Sequence, residues 1–113
     1  MTVQSDYAEL LTEKGISLSE RFGIADIALR RGDALAAADI LLWAGRVILG
    51  GDVYFKSGDH LSLAYANWFT DRKEGEDLAD FVLRSHAHAV GYIANFPEHD
   101  DHEPLFSLVT PSV

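Results

Sequence analysis

The sequence EDLADFVLRSHAHAVGYIANFP, residues 76–97, carries the clearest fold signal in the chain. Successive residues of a helix turn by about 100°, and on that wheel one apolar stripe lies within about 60° of Leu78. The stripe consists of Leu78, Phe81, Val82, Ser85, Ala89, Tyr92, Ile93 and Phe96. This periodicity predicts an amphipathic helix over residues 76–96 that ends at Pro97.

Upstream of this helix, the pattern predicts a β-hairpin. Residues 47–49 and 53–55 are β-type runs, and the glycine pair between them predicts a bulge or a sharp bend. Residues 57–59 are typical of a turn. Residues 61–65 alternate two leucines and a tyrosine with Ser and Ala, which predicts a half-buried antiparallel strand.

The remaining segments complete the predicted order of elements. Asp6 predicts the start of a first helix that ends at Gly15. Residues 19–30 predict a second helix, and residues 33–45 predict a third that is capped by its leading aspartate. Residues 105–109 predict a last strand. The order α-α-α-β-β-α-β indicates an α+β fold, in which helices pack on one face of a small antiparallel sheet.

Length, composition and charge narrow the class of protein. The chain has 113 residues, is 48% hydrophobic and carries a formal charge of −9, which predicts one domain over residues 1–113 with a buried core. The acidic balance argues against a nucleic-acid binder and against anionic membranes, and it favours a basic protein partner. Without cysteine, an apolar span or a secretory signal, we expect a soluble cytoplasmic protein.

The negative charge is concentrated in the second half of the chain. Residues 1–56 hold eight acids and six bases, a net −2, whereas residues 57–113 hold ten acids and three bases, a net −7. Most of the excess lies in an acidic segment, residues 71–80, and in an acidic loop, residues 98–103. Each is either a solvated run of charge or a docking surface for a cation-rich partner.

The histidines are the first place to look for catalysis or metal binding. His86 and His88 lie roughly 160° apart on the helical wheel, so one intact helix cannot offer both to the same metal. His99 and His102 accompany four carboxylates in the acidic loop, but their spacing matches no recognised metal site. We therefore expect no enzyme and no cofactor. A small His-dependent metal protein or enzyme stays as the less favoured alternative.

Five segments carry a resemblance to a known family. They are GIADIAL at 23–29, ILGGDVY at 48–54, YANW at 65–68, FVLRS at 81–85 and YIANFP at 92–97. Over roughly residues 20–110 the chain resembles the small immunity proteins of bacterial polymorphic-toxin systems, in particular the immunity protein 40 family. Where that family is expected to have Tyr-Asp-Asn-Trp, this chain has Ala66, so any part the aspartate plays in toxin contact or capping is absent.

The resemblance implies a non-enzymatic protein that binds a cognate toxin domain and blocks its active site or substrate groove. A nuclease toxin is typically basic, so an acidic inhibitor would associate faster and would mimic phosphate charge. Trp68 is the first expected aromatic anchor, followed by Tyr54 and Tyr65, although each could instead pack in the core. The expected acidic contacts are Asp52, Asp71, Glu74, Glu76, Asp77 and Asp80. The alternative is a non-catalytic interaction or self-assembling module, such as a homodimer.

Overall fold

A computed structural model describes residues 3–19, 26–98 and 100–111. The helices in these ranges are α1 (Val3–Lys14), α2 (Arg31–Trp43) and α3 (Leu78–Asn95). The strands are β1 (Ile16–Ser17), β2 (Ile27–Arg30), β3 (Gly50–Ser57), β4 (His60–Phe69) and β5 (Glu103–Val109). They form an antiparallel sheet in the order β1-β2-β5-β3-β4, which confirms the expected α+β class. Within the described ranges, every helix is too short or too polar to cross a bilayer.

The helices cover one face of the sheet, and the main core lies between the two layers. α2 sits between α1 and α3, and its buried alanines allow both neighbours to approach closely. The strands contribute Leu29, Val53, Trp68 and Phe106 to this core, and the helices contribute Ala34, Ala37, Ala38, Leu41, Ala89 and Ile93. A smaller cluster of Leu18, Ala28, Tyr54 and Leu105 lies on the opposite side of the sheet.

Two hydrogen-bonding side chains, Ser85 of α3 itself and Arg31 of α2, hold α3 against the rest of the fold. The fully buried Ser85 hydroxyl accepts a hydrogen bond from the Ile48 amide at 3.1 Å and donates to the Val82 carbonyl at 3.1 Å. Arg31 donates to the carbonyl of Ile93 at 2.5 Å. The last turn of α3 has no basic residue of its own, so Arg31 supplies the cation that complements the negative end of the helix dipole.

The prediction of a second helix over residues 19–30 is wrong for its C-terminal part, since residues 27–30 form β2. Of the remainder, residues 20–25 lie outside the described ranges. Ala28 and Leu29 are both buried, but they pack in the two clusters on opposite sides of the sheet. A strand buried on both faces has a continuous apolar run, which periodicity alone does not separate from a helix.

Two helices begin earlier than predicted. α1 begins at Val3 and α2 at Arg31, so Asp6 and Asp33 lie in first turns and are not caps. An acidic residue in a first turn is still favoured by the helix dipole. α3 agrees with the predicted helix to within two residues at each end, and Pro97 follows its C-terminus as predicted.

The glycine pair has a packing role that differs from the predicted bulge or bend. Residues 47–49 have no strand structure, and Gly50 begins β3. A Cβ on Gly51 would collide with the carbonyl oxygen of Ser107 and with the indole of Trp68. Gly51 therefore provides the space in which the Trp68 ring lies against the sheet.

The predicted alternation in β4 is present with the opposite phase. Ala64, Ala66 and Trp68 pack towards the helices, whereas Leu63 and Tyr65 are exposed. β4 continues to Phe69, beyond the predicted end at residue 65, and the larger apolar area of Trp68 favours the phase that buries it. A register shift between Val53 and Tyr54 of β3 accompanies this reversal.

Candidate protein-binding surface

The hairpin β3–β4 and strand β5 present a face that the helices do not cover. Asp52 pairs with Asn67 of β4 and Ser107 of β5, and Gly50 pairs with Phe69 and Val109. These positions alternate with those that pack towards the helices, so they point to the other side. We call the exposed residues here the outer sheet face: Asp52, Leu63, Tyr65, Asn67, Phe69 and Val109.

A bulge in the edge strand positions Tyr65. Val53 pairs with Ala66 and Tyr54 pairs with Leu63, so Ala64 and Tyr65 are extra residues in β4. Tyr65 has φ 55°, a left-handed conformation that side-chain-bearing residues seldom adopt. Its side chain is 90% exposed. Bulges at sheet edges commonly redirect a side chain, and here the redirected group is an aromatic ring in solvent.

Two shallow hollows meet at the centre of the outer sheet face. One, of about 210 Å³, is lined by residues that include Tyr54, Leu63 and Tyr65. The other, of about 270 Å³, is lined by residues that include Phe69 and Val109. Asp52 and Asn67 line both. An exposed carboxylate and an amide therefore lie between two apolar ends, which suits a protein partner better than an enclosed small molecule.

Two of the three expected anchors are buried. Trp68 is 5% exposed, and its indole stacks on Tyr92 of α3 at 4.8 Å between ring centroids. Tyr54 is 4% exposed and packs in the smaller cluster. Burial raises the pKa of Tyr54, and the nearby Asp52 raises it further. Tyr65 is the one aromatic residue of the three that offers its ring to a partner without rearrangement.

Arg84 holds the acidic segment, residues 71–80, against α3. Its guanidinium donates to both carboxylate oxygens of Glu76, at 2.8 and 2.7 Å, and to the Asp71 carbonyl at 2.6 Å. The backbone amide of Lys73 also donates to Glu76, at 2.9 Å. The hydrogen bonds from Arg84, followed by that from Lys73, lower the pKa of Glu76 to about 2.

Nearby cations thus offset part of the negative charge of the acidic segment. The segment has five carboxylates, whose charge is offset by two cations of its own, Arg72 and Lys73, and by Arg84, which pairs with Glu76. Glu76 is committed to Arg84, which makes it a structural residue as well as an expected contact. The exposed carboxylates that remain open to a partner are those of Asp71, Glu74, Asp77 and Asp80.

Among the described residues, His86, His88 and His102 belong neither to the outer sheet face nor to the acidic segment. His86 Nε2 lies 2.8 Å from Asp39 of α2, while His88 is exposed. The ring of His102 packs 5.2 Å from that of Phe55, and His99 lies outside the described ranges. Among the residues that the structure describes, no three His, Asp or Glu side chains are grouped to hold a metal.

The sequence predicted Asp52 and Tyr65 as toxin contacts, and both lie on the outer sheet face, but it singled out none of the other four residues there as a contact. Leu63, Phe69 and Val109 are apolar, so hydrophobic patterning assigns them to the interior. The two glycines of the neighbouring strand were the available sign of irregular pairing, but they do not determine the register. The register between β3 and β4 is known only from the structure.

The fold and the surface define a small α+β protein whose sheet is covered by helices on one side and is partly open on the other. A comparison with protein families matches residues 17–110 to immunity protein 40. The chain belongs to the immunity protein 40 family. No curated protein and no solved structure matches it.

Proposed function

We propose that this protein is the immunity partner of a toxin. As one immunity domain over residues 1–113, it binds the cognate toxin domain in the cytoplasm of the producing cell and neutralises it without catalysis. The observation that carries the proposal is membership of the immunity protein 40 family over residues 17–110. The open, partly apolar outer sheet face is consistent with a protein that acts by binding.

Charge complementarity indicates what kind of toxin this protein binds. The formal charge is −9, and the exposed carboxylates at Asp71, Glu74, Asp77 and Asp80 favour a basic toxin domain, of which a nuclease is an example. Attraction between opposite charges mainly accelerates association and sets specificity. The acidic segment, residues 71–80, acts in this proposal as a steering surface, while contacts elsewhere supply most of the affinity.

Co-expression tests protection directly. The toxin domain encoded beside this chain, in practice the C-terminal domain of the neighbouring gene product, is induced with and without this chain. Rescue of growth is expected. If growth is also lost in the culture that contains this chain as folded protein, the immunity function is refuted.

Titration separates a binding inhibitor from an enzyme that inactivates the toxin. Inhibition by binding reaches its limit at one equivalent of this protein, whereas a catalyst inactivates the toxin at a small fraction of an equivalent. We expect the first result. The association rate should fall steeply as salt rises, and a double variant, Asp77→Asn with Asp80→Asn, should reduce that dependence.

A further inference from the structure

We propose that the toxin docks on the outer sheet face, with Tyr65 and Phe69 as apolar anchors and a lysine or arginine of the toxin against Asp52. This inference rests on the proposed function and adds the location and chemistry of the contact. The four observations that support it are the distribution of exposed apolar side chains, the backbone at Tyr65, the environment of Asp52 and the position of β4.

The first observation is where the exposed apolar side chains lie. Seven large hydrophobic residues are exposed within the described ranges, and four of them belong to this face. Phe69 is 71% exposed, and Leu63 and Val109 lie at the two ends beside Tyr65 and Phe69. Apolar groups gathered on one surface, with polar groups among them, are typical of protein interaction sites.

The second observation is the left-handed backbone at Tyr65. Asn or Gly would adopt φ 55° more readily than tyrosine, so the residue is not chosen for its backbone conformation. The ring is 90% exposed, so it contributes little to the packing of the fold. Unfavourable backbone conformations are retained most often where they serve binding, and an exposed ring on a bulge fits that use.

The third observation is the unpaired charge at the centre. Asp52 is exposed, its cross-strand neighbours Asn67 and Ser107 are neutral, and in the described part of the chain it forms no ion pair. A lysine or arginine inserted between the two hollows would meet this carboxylate. A second copy of this chain would instead bring an acidic molecule, and in a two-fold arrangement another Asp52, towards it.

The fourth observation concerns how β4 is used. β4 is an edge strand, and its bulge interrupts the regular row of backbone groups that an added strand would need. Recognition by strand addition is therefore disfavoured. The side chains of the outer sheet face are the groups that the toxin contacts.

The test measures the affinity of the toxin domain for the full chain and for single variants. We expect Tyr65→Ala and Phe69→Ala each to weaken binding by at least about 30-fold, since exposed aromatic anchors dominate such interfaces. Asp52→Asn should weaken it by about tenfold. The matched controls are Trp43→Ala, an 80% exposed aromatic residue on α2, and Asp59→Asn in the hairpin turn, and both should stay within about twofold of the wild type.

The variant Tyr65→Asn distinguishes the contribution of the tyrosine ring to binding from its effect on stability. Asparagine tolerates the left-handed backbone, so this variant should unfold at the same or a higher urea concentration than the wild type while binding as weakly as Tyr65→Ala. Normal binding by Tyr65→Asn and Phe69→Ala would overturn the inference. So would a loss in Trp43→Ala as large as theirs.

The outcomes distinguish this inference from the function on which it rests. A wild-type chain that protects cells, with variants of the outer sheet face that bind normally, would leave the immunity function standing and refute the docking surface. A wild-type chain that neither binds nor protects would refute both. A dimer of the wild type that Phe69→Ala dissociates would show that a second copy occupies this face and would also overturn the inference.

Discussion

The two faces of the same strands differ in what they contribute to the molecule. In β4, Trp68 is buried between Gly51 and Tyr92, while Phe69, the next residue, is 71% exposed. Aromatic residues that alternate along one strand thus serve the core on one side and remain free on the other. Changes on the helix-covered face should therefore lower the free energy of unfolding, and changes on the outer sheet face should alter binding with little effect on stability.

Replacing Trp68 by alanine is expected to have the largest effect on stability. The substitution removes a buried indole and its stacking on Tyr92, and we expect it to lower the free energy of unfolding by about 3–5 kcal/mol in urea titrations. Trp43→Ala is the control, since that indole is 80% exposed, and should change stability by no more than about 0.5 kcal/mol. Equal losses in both variants would contradict the division between the two environments.

Gly51→Ala tests whether the helix-covered face depends on the missing Cβ. The new methyl group would collide with the Ser107 carbonyl and the Trp68 ring, so we expect a loss of about 2–3 kcal/mol. Gly91→Ala on α3 is the matched control, because a Cβ there meets open space and should stabilise the helix by up to about 1 kcal/mol. Opposite shifts in the thermal midpoint are the expected result.

Ser85→Ala tests the polar contact that fixes α3 within the core. The variant leaves the amide of Ile48 without its hydrogen-bond partner, so we expect a loss of about 1–2 kcal/mol. Ser57→Ala, at the exposed end of β3, should be neutral within about 0.5 kcal/mol. Chemical denaturation of both variants measures the difference, and an unchanged midpoint for Ser85→Ala would exclude a stabilising role for this bond.

Glu76→Gln is expected to have the smallest effect, because the substitution keeps the size of the side chain and its partner Arg84 remains partly exposed. Arg84 lowers the pKa of Glu76 from 4.5 to about 2 in the folded protein. The carboxylate therefore stabilises the fold fully above pH 4.5, and this contribution is lost as the pH falls towards 2. The wild type should unfold at a slightly higher urea concentration than the variant at neutral pH, and the gap should close on acidification. Glu74→Gln, which leaves the ion pair intact, is the control and should unfold at the same urea concentration as the wild type at neutral pH.

Much of the fold could be predicted because local patterns agree with the tertiary structure. The stripe in residues 76–96 predicted α3 almost to the residue, and the turn at Gly58 was placed correctly. β2 was missed because burial on both faces erased its alternation. The phase of β4 was missed because a bulge and the demand of Trp68 for the core are properties of the paired sheet, not of one strand.

The residues of the candidate site also fall into two groups, those that the sequence alone places at the surface and those that need the tertiary structure. Charged residues such as Asp77 and Asp80 were expected at the surface and are exposed, because ionised side chains seldom lose their water. Leu63 was placed in a half-buried strand and Phe69 was not singled out, yet both are exposed, since composition does not reveal which apolar groups a fold leaves uncovered. The ion pair of Glu76 with Arg84 could not be predicted either, because the sequence does not determine the distance between a residue in a loop and a residue in the following helix.

The central position of β5 has a consequence for the order in which the molecule forms. β5 pairs with β2 on one side and with β3 on the other, so Leu29 and Phe106 meet although most of the chain separates them. During synthesis, β2 and the hairpin β3–β4 must wait with unpaired edges until β5 has been made. Such non-local pairing slows folding and leaves strands open to wrong partners. A newly made chain thus completes its sheet late, and the outer sheet face, which includes Val109 of β5, is complete only after that step.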